Sequence, residues 1–360
     1  MKIDFVISSL TGGGAERVLS ILANSFAKRS NYQITIITLL NDTCAYDIDK
    51  SITRVTLTKN KKLIGHTLGS IINLTQYYKS KSNRPDFIIS FMTLNSLIAL
   101  LPAKLYNIKV MAQEHTHHEW DMEGRGFISR FTKKYIYRWA SIVTVLTSYD
   151  LNFYKSRGIN VMVLPNPCGF KALTKAPVKN QKVILAIGDL ERYDVKGFDN
   201  LLMLIAPVLH QHKDWILKIA GSGDTGLAIL KKLATENDIS DKVEFTGFVN
   251  DIPALMSKSS IFVLSSRTEG LPMGLIEAMS QGMACIAYDC VTGPSDIITH
   301  EVDGLLIPNQ DHSEMQKGIE TLINHEELRA GLGTNALKAS KKYEISEIIN
   351  VYEELFKVLD

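Results

Sequence analysis

The chain has 360 residues, 45% of them hydrophobic and 22% charged, with a formal net charge of +2. These values belong to an ordinary soluble globular protein, long for one core and natural for two domains, and they exclude a fibrous or disordered chain. No apolar run reaches the ~20 residues that span a bilayer.

The charge is unevenly placed. Residues 1–170 carry 21 Lys and Arg against 11 Asp and Glu, and the remainder carries 19 against 27. Such an imbalance suggests that the first half faces something anionic, and no nucleic-acid partner is expected. Cys44, Cys168, Cys285 and Cys290 lack metal-ligand spacing and read as reduced thiols of a cytoplasmic protein.

In chain order, Lys2–Ser8 reads as a first strand and not a signal peptide, because its apolar stretch is short and glycines follow it. Thr11–Arg17 then reads as a tight loop opening a helix through about Lys28. Gly12-x-Gly14 is part of a dinucleotide fingerprint, but Arg17 occupies the third glycine position. Strand two, Gln33–Leu40, ends in Leu39-Leu40 where a nicotinamide site wants an acid, so a dehydrogenase is disfavoured. Gly12, Gly13 and Gly14 still allow close backbone approach to a phosphate or an incoming hydroxyl. Asp47-x-Asp49 is formally a metal–nucleotide motif, but its polar, turn-like context reads as a solvated loop, and no metal is assigned.

Pro85–Phe91 is a strand, a helix follows through Ala103, and the strand Lys109–Gln113 ends in Glu114-His115. Arg125–Trp139 carries five basic residues and no acid. At helical spacing Phe127, Phe131, Tyr135 and Trp139 share one stripe, with Arg130, Lys134 and Arg138 beside it. The helix either packs its aromatics on the sheet with a solvated basic flank, or seats them on anionic headgroups. Lys59–Lys62 and Lys79–Arg84 add to the same positive half. Ser141–Thr147 is a strand, Asn152–Gly158 ends a helix, and Val161–Leu164 with Pro165-Asn166-Pro167 is the last strand and the linker.

The second half begins again with a strand, Lys182–Ile187, and the turn Gly188–Gly197, which contains Asp189, Arg192 and Lys196. Trp215–Ala220 leads into Gly221-Ser222-Gly223, and Lys242–Phe245 into Thr246-Gly247-Phe248. Ile261–Leu264 then starts a strand–turn–helix–strand unit with the helix MGLIEAMSQ, closed by Gly282, and the strand Ala284–Tyr288. The amides of Met273, Gly274, Leu275 and Ile276 lie in the first helical turn and are expected to point at an anion. Gly270 and Gly274 are expected to leave room for it. Glu269 and Glu277 flank this site, and carboxylates beside a phosphate cradle suit the hydroxyls of a sugar and a ribose. The bland alternative for Glu277 is a surface residue that complements the helix dipole.

With these residues in hand, EGLPMGLIEAMSQGMACIAYD resembles the E-x7-E segment of the retaining family 4 glycosyltransferases of GT-B fold. GGGAERV resembles that family's acceptor-side loop, and Glu114-His115 its strand-end histidine beside the donor sugar. The Gly188–Gly197 turn is similar to its diphosphate-neutralising Arg/Lys segment. Lys196 matches, while Asp189 stands where the family has Arg, and Arg192 is the candidate replacement. Ala220–Gly223, the backbone after Gly247, Thr292–Ser295 and Asp303–Leu306 follow the same pattern.

The resemblance implies an α/β chain of two Rossmann-like domains whose parallel sheets face a central cleft. Residues 1–167 would bind the acceptor, 168–343 the nucleotide sugar, and 344–360 would cross back onto the first domain. It implies His115, Lys196 and Glu269 as catalytic residues. Donor contacts would come from Gly13, Gly14, Asn166, Arg192, Gly221, Phe248, Gly270, Leu271, Met273, Gly274, Leu275 and Glu277, and acceptor contacts from Gly12, Glu16 and Arg17.

The expected activity is metal-independent, retaining transfer of a hexose or N-acetylhexosamine from a UDP-sugar, with no cofactor. The expected acceptor is a saccharide on a polyprenyl diphosphate, used at the cytoplasmic face of an anionic membrane. A non-hydrolysing sugar-nucleotide epimerase and a non-catalytic nucleotide-sugar-binding subunit are the alternatives.

Overall fold

The computed structural model describes residues 1–58, 65–119, 126–177 and 181–360. Lys59, Lys61, Lys62 and Arg125, part of the expected basic surface, lie outside these. The chain divides into two compact units, Met1–Pro167 with Ile345–Asp360, and Cys168–Glu344.

The first unit is built on a seven-stranded sheet. Its strands are β1 (Lys2–Ile7), β2 (Gln33–Thr38), β3 (Thr53–Thr56), β4 (Phe87–Phe91), β5 (Lys109–Gln113), β6 (Ile142–Val145) and β7 (Val161–Val163). The order is β3-β2-β1-β4-β5-β6-β7, and every pairing is parallel. Helices α1 (Gly14–Ala27), α2 (His66–Lys79), α3 (Thr93–Tyr106), α4 (Gly126–Tyr135) and α5 (Leu151–Lys155) make its connections.

The second unit repeats the plan with β8 (Val183–Ile187), β9 (Ile216–Ala220), β10 (Val243–Gly247), β11 (Ile261–Leu264), β12 (Ala284–Asp289) and β13 (Leu305–Pro308). Their order, β10-β9-β8-β11-β12-β13, is again wholly parallel. Its helices are α6 (Phe198–Gln211), α7 (Asp224–Glu236), α8 (Ile252–Ser257), α9 (Met273–Ser280), α10 (Pro294–Ile297), α11 (His312–Asn324) and α12 (Glu326–Ser340). The last helix, α13 (Ile345–Leu359), groups with the first unit. There Tyr352 and Phe356 meet Phe26 of α1 at ring separations of 5.8 and 5.9 Å.

The sequence explains this layering. Parallel strands covered on both faces are apolar throughout, and β4, β11 and nearly all of β12 are buried. Helix α9 is short and almost entirely buried from Leu275 to Ser280. Its end is set by Gly282, whose φ of 64° is the left-handed conformation of a glycine just past a helix. In each sheet the strand order reverses at one point, between β1 and β4 and between β8 and β11. Open α/β sheets bind ligands beyond the carboxyl ends of the strands at such a reversal.

Candidate functional site

In the second unit the two loops at the reversal carry the expected residues. The loop after β8 brings Lys196, and the turn after β11 brings Glu269. Lys196 Nζ lies 2.7 Å from Glu269 Oε1, with side-chain exposures of 21% and 10%. The same oxygen accepts from Ser266 Oγ at 2.6 Å, and no described residue bonds Oε2. The Thr292 hydroxyl donates to the Glu269 carbonyl, so the loop after β12 also closes on this turn. Gly293, at φ 100°, packs so closely there that a Cβ would lie 2.6 Å from Pro272 Cδ.

Helix α9 begins at Met273 with Pro272 as its N-terminal cap residue. The expected set of four open amides is corrected to two. Leu275 and Ile276 both donate to the Pro272 carbonyl, at 3.1 and 3.3 Å. Proline takes the cap position without an N–H of its own, and its carbonyl serves the third and fourth helical residues. Met273 and Gly274 keep amides that no described residue accepts. A Cβ on Gly274 would meet the Phe262 ring at 3.4 Å, an ordinary contact distance, with no other atom within 4 Å. Leu271 is buried. Glu277 is buried too, which removes the reading of it as a solvated dipole partner.

The other expected donor residues have distinct surroundings. Gly221 lies against the Gly188 carbonyl, where a Cβ would come within 1.8 Å, and its amide donates to Gly247. Its glycine character serves the packing of two loops. Asp189, at the family's Arg position, accepts from the Glu191 amide at 3.0 Å and caps the turn that carries Arg192. Arg192 is exposed. Phe248 is 76% exposed just past β10, an open aromatic face at a strand's carboxyl end.

In the first unit a small pocket at the carboxyl ends of β5, β6 and β7 brings His115 and Asn166 together, lined also by Gln113, Glu114 and Pro165. The His115 ring stacks on Phe91 at 4.9 Å and 13°. Burial pulls its pKa down to about 4, so the imidazole is neutral at physiological pH. Its Nε2 is buried and bonds no described residue. A buried ring nitrogen in that state calls for a partner.

Glu114, which sequence reading passed over, is buried beside it. It accepts from Thr93 Oγ1 at 2.8 Å and from the Tyr137 hydroxyl, with Lys133 Nζ at 4.0 Å. Burial raises its pKa against the pull of Lys133 and of those hydroxyls. An acid beside a strand-end histidine is the one signal that could have singled it out.

The glycine loop is only partly open. The Gly13 amide donates to Tyr46 Oη at 2.8 Å, and that hydroxyl donates back to the Gly13 carbonyl. Both polar backbone groups of Gly13 are thus engaged by Tyr46. Glu16 folds over Gly13, its Oε2 2.4 Å from where a Cβ would stand. Gly12 and Gly14 have open space at that position. Arg17 follows on α1, its amide bonded to the Gly13 carbonyl at 3.0 Å. Among the described residues no three His, Cys, Asp or Glu are grouped to hold a metal ion. The Asp49 carboxylate binds Ser51.

Helix α4 overturns one reading of the aromatic stripe. Phe127 is 79% exposed, and Phe131, Tyr135 and Trp139 are also exposed, as are Arg130, Lys134 and Arg138. Phe127 stacks on Phe131, and Phe131 meets Tyr135 at 5.2 Å with the rings tilted. The helix is seated instead through Thr132 and Lys133, with Ile136 and Tyr137 of the following turn. A buried ammonium held by Glu114 turns the aromatics outward. In the Lys79–Arg84 run, Arg84 is structural, lying over the Tyr106 ring at 4.4 Å. No helix among the described residues is long and apolar enough to cross a membrane.

Comparison with known proteins agrees with this geometry. A model described as "Glycosyltransferase Family 4" matches residues 12–168, and one described as "Glycosyl transferases group 1" matches residues 173–339. The chain is 30% identical to the amylovoran biosynthesis glycosyltransferase AmsD of Erwinia amylovora over 95% of each chain. It is 28% identical, over 97% of this chain and 96% of the relative, to a Campylobacter jejuni enzyme. That enzyme is the GalNAc-alpha-(1->4)-GalNAc-alpha-(1->3)-diNAcBac-PP-undecaprenol alpha-1,4-N-acetyl-D-galactosaminyltransferase. Among solved structures it resembles Anabaena HepE in complex with UDP and glucose, with a TM-score of 0.81, 18% identity and 99% of both chains covered. That likeness is one of fold, and the fold is GT-B.

Proposed function

Because the chain belongs to glycosyltransferase family 4, we propose that it is a retaining, metal-independent enzyme using a UDP-sugar. It transfers a hexose or N-acetylhexosamine to a saccharide carried on a polyprenyl diphosphate, in the assembly of a bacterial surface polysaccharide. The observation that carries this reading is the Lys196–Glu269 pair beside the open amides of α9. A cation and two amides suit a diphosphate, and a carboxylate with one uncommitted oxygen suits a sugar hydroxyl. The UDP bound to HepE and the undecaprenol in the Campylobacter relative's name support the choice of donor and acceptor.

The same geometry supports one route to retention over another. Double displacement needs a nucleophilic carboxylate with a second acid about 5 Å away. Glu269 Oε1 is engaged by Lys196 and Ser266, which reduces its nucleophilicity. The front-face route fits better. The acceptor oxygen forms its bond to the anomeric carbon as the bond to the β-phosphate breaks, and the leaving phosphate oxygen takes the acceptor proton. Lys196 and the amides of Met273 and Gly274 stabilise charge growing on that phosphate, with Arg192 as an auxiliary cation. Glu269 holds the sugar, Glu277 the ribose, Phe248 flanks the base, and neutral His115 offers Nε2 to a sugar hydroxyl. Gly12, Glu16 and Arg17 take the acceptor.

The outward aromatics of α4, with Arg130, Lys134 and Arg138, support a peripheral seat on anionic headgroups at the cytoplasmic face. The test is turnover of a panel of UDP-hexoses and UDP-N-acetylhexosamines with a polyprenyl-diphosphate saccharide, in the presence of a chelator, with the product's anomeric configuration read by NMR. The reading expects an α-linked product from an α-linked donor, undiminished by the chelator. An inverted product rejects retention, and loss of turnover with the chelator rejects metal independence.

A further inference from the structure

Arg267 sits two residues before Glu269, and no part of the proposed chemistry uses it. Its guanidinium forks onto Asp199 at the start of α6, with Nη1 to Oδ1 at 2.8 Å and Nη2 to Oδ2 at 2.9 Å. Nη1 also donates to the Asp194 carbonyl. The side chain thus holds the Lys196 loop on both sides of the lysine. The backbones are joined as well: Arg267 N–H donates to the Val195 carbonyl at 2.9 Å, and Ser265 Oγ to the Lys196 carbonyl at 2.9 Å. Gly197, at φ 65°, lies against Ser265, where a Cβ would come 2.0 Å from the carbonyl oxygen.

We propose that the Arg267–Asp199 pair is a positioning device for the donor diphosphate. It fixes the loop of Lys196 on the turn of Glu269, so that the cation and the carboxylate keep one spacing when substrate enters between them. This rests on the assignment of Lys196 to the diphosphate. A planar fork suits the task because two parallel bonds fix direction as well as distance, which an ammonium cannot do. The Lys196–Glu269 bond alone would not keep the loop in place, because an arriving diphosphate competes with Glu269 for the same ammonium. The brace contacts neither side chain and so survives that competition. Both partners are partly exposed, at 34% and 24%, so removing either leaves the core intact.

The test titrates wild type with UDP, GDP and ADP, takes the tightest binder as probe and uses its nucleoside as control. Arg267→Ala and Asp199→Asn are each expected to weaken the diphosphate about tenfold and the nucleoside less than about twofold, with the double variant no weaker than either single. In the Arg267→Ala background, Lys196→Ala is expected to cost less than about a third of its wild-type cost. Wild-type affinity in Arg267→Ala, with Lys196→Ala impaired, overturns the brace alone. Impairment in Arg267→Ala but not Asp199→Asn overturns it in favour of a direct Arg267 contact with phosphate. Equal losses for diphosphate and nucleoside overturn it in favour of general loosening. Wild-type affinity in Lys196→Ala, or no nucleotide binding by wild type, overturns the Lys196 assignment and the brace together.

Discussion

Lys196 and Glu269, 73 residues apart in sequence, meet at 2.7 Å. Each lies on the loop that follows a strand, β8 or β11, at the point where the order of the second sheet reverses. The pair joins a group suited to a diphosphate with one suited to a sugar. It also leaves one carboxylate oxygen uncommitted among the described residues.

The contact depends on how closely the two loops pack, and Gly197 tests that. Its φ of 65° and the 2.0 Å clash of a built Cβ with the Ser265 carbonyl both act against any other residue. Gly197→Ala should destabilise the protein by about 1–3 kcal/mol and lower nucleotide affinity along with it. Thermal melting with and without UDP checks both effects.

Asp4 provides a pH signature away from the site. It is buried in β1, accepts from the Tyr78 hydroxyl at 2.9 Å, and burial raises its pKa to about 7, partly offset by that hydrogen bond. The unfolded chain releases this proton near pH 3.8 and the folded one near 7. The contribution to stability is therefore complete below pH 3.8, falls as pH rises through that window, and is flat above about 7. Asp4→Asn should remove this component, so that the variant gains relative to wild type between pH 4 and 7. Melting temperatures taken across that range read it directly.

The stripe on α4 predicts a surface effect without a folding effect. Phe127→Ser with Phe131→Ser should leave the melting temperature within about 2 °C of wild type, because both rings are exposed. The same pair of changes should reduce sedimentation with phosphatidylglycerol vesicles at least about fivefold, as apolar area and cationic flank bind together. Rising salt should weaken the wild-type association. Equal sedimentation of variant and wild type would remove α4 from the membrane account.

Much of the second unit was legible because its signals are local. Apolar strands, glycine turns and a proline-to-glycine helix place β11, α9 and β12 to within a residue or two. What lay outside the reading was set by side chains meeting across the chain. Helical periodicity identified the stripe Phe127, Phe131 and Tyr135, but its direction depends on Lys133 being buried against Glu114, and a lysine in sequence reads as solvated. The count of open amides at α9 was set by the Pro272 carbonyl, which accepts from both Leu275 and Ile276. Gly221 read as a donor contact, and its missing side chain makes room for the Gly188 carbonyl. Arg267 carried no signal, because its partner Asp199 is 68 residues away. The edge strand β3 and helix α2 carry weak patterns and were not read at all.

The central claim is that Lys196 grips the diphosphate and Glu269 the sugar. Calorimetric titration of UDP against wild type, Lys196→Ala and Glu269→Ala, paired with turnover of the preferred UDP-sugar, separates the two roles. The account predicts that Lys196→Ala weakens UDP at least about tenfold, while Glu269→Ala binds UDP within about threefold of wild type. Both should lose turnover by at least about 100-fold. Turnover near wild type in either variant would contradict the account.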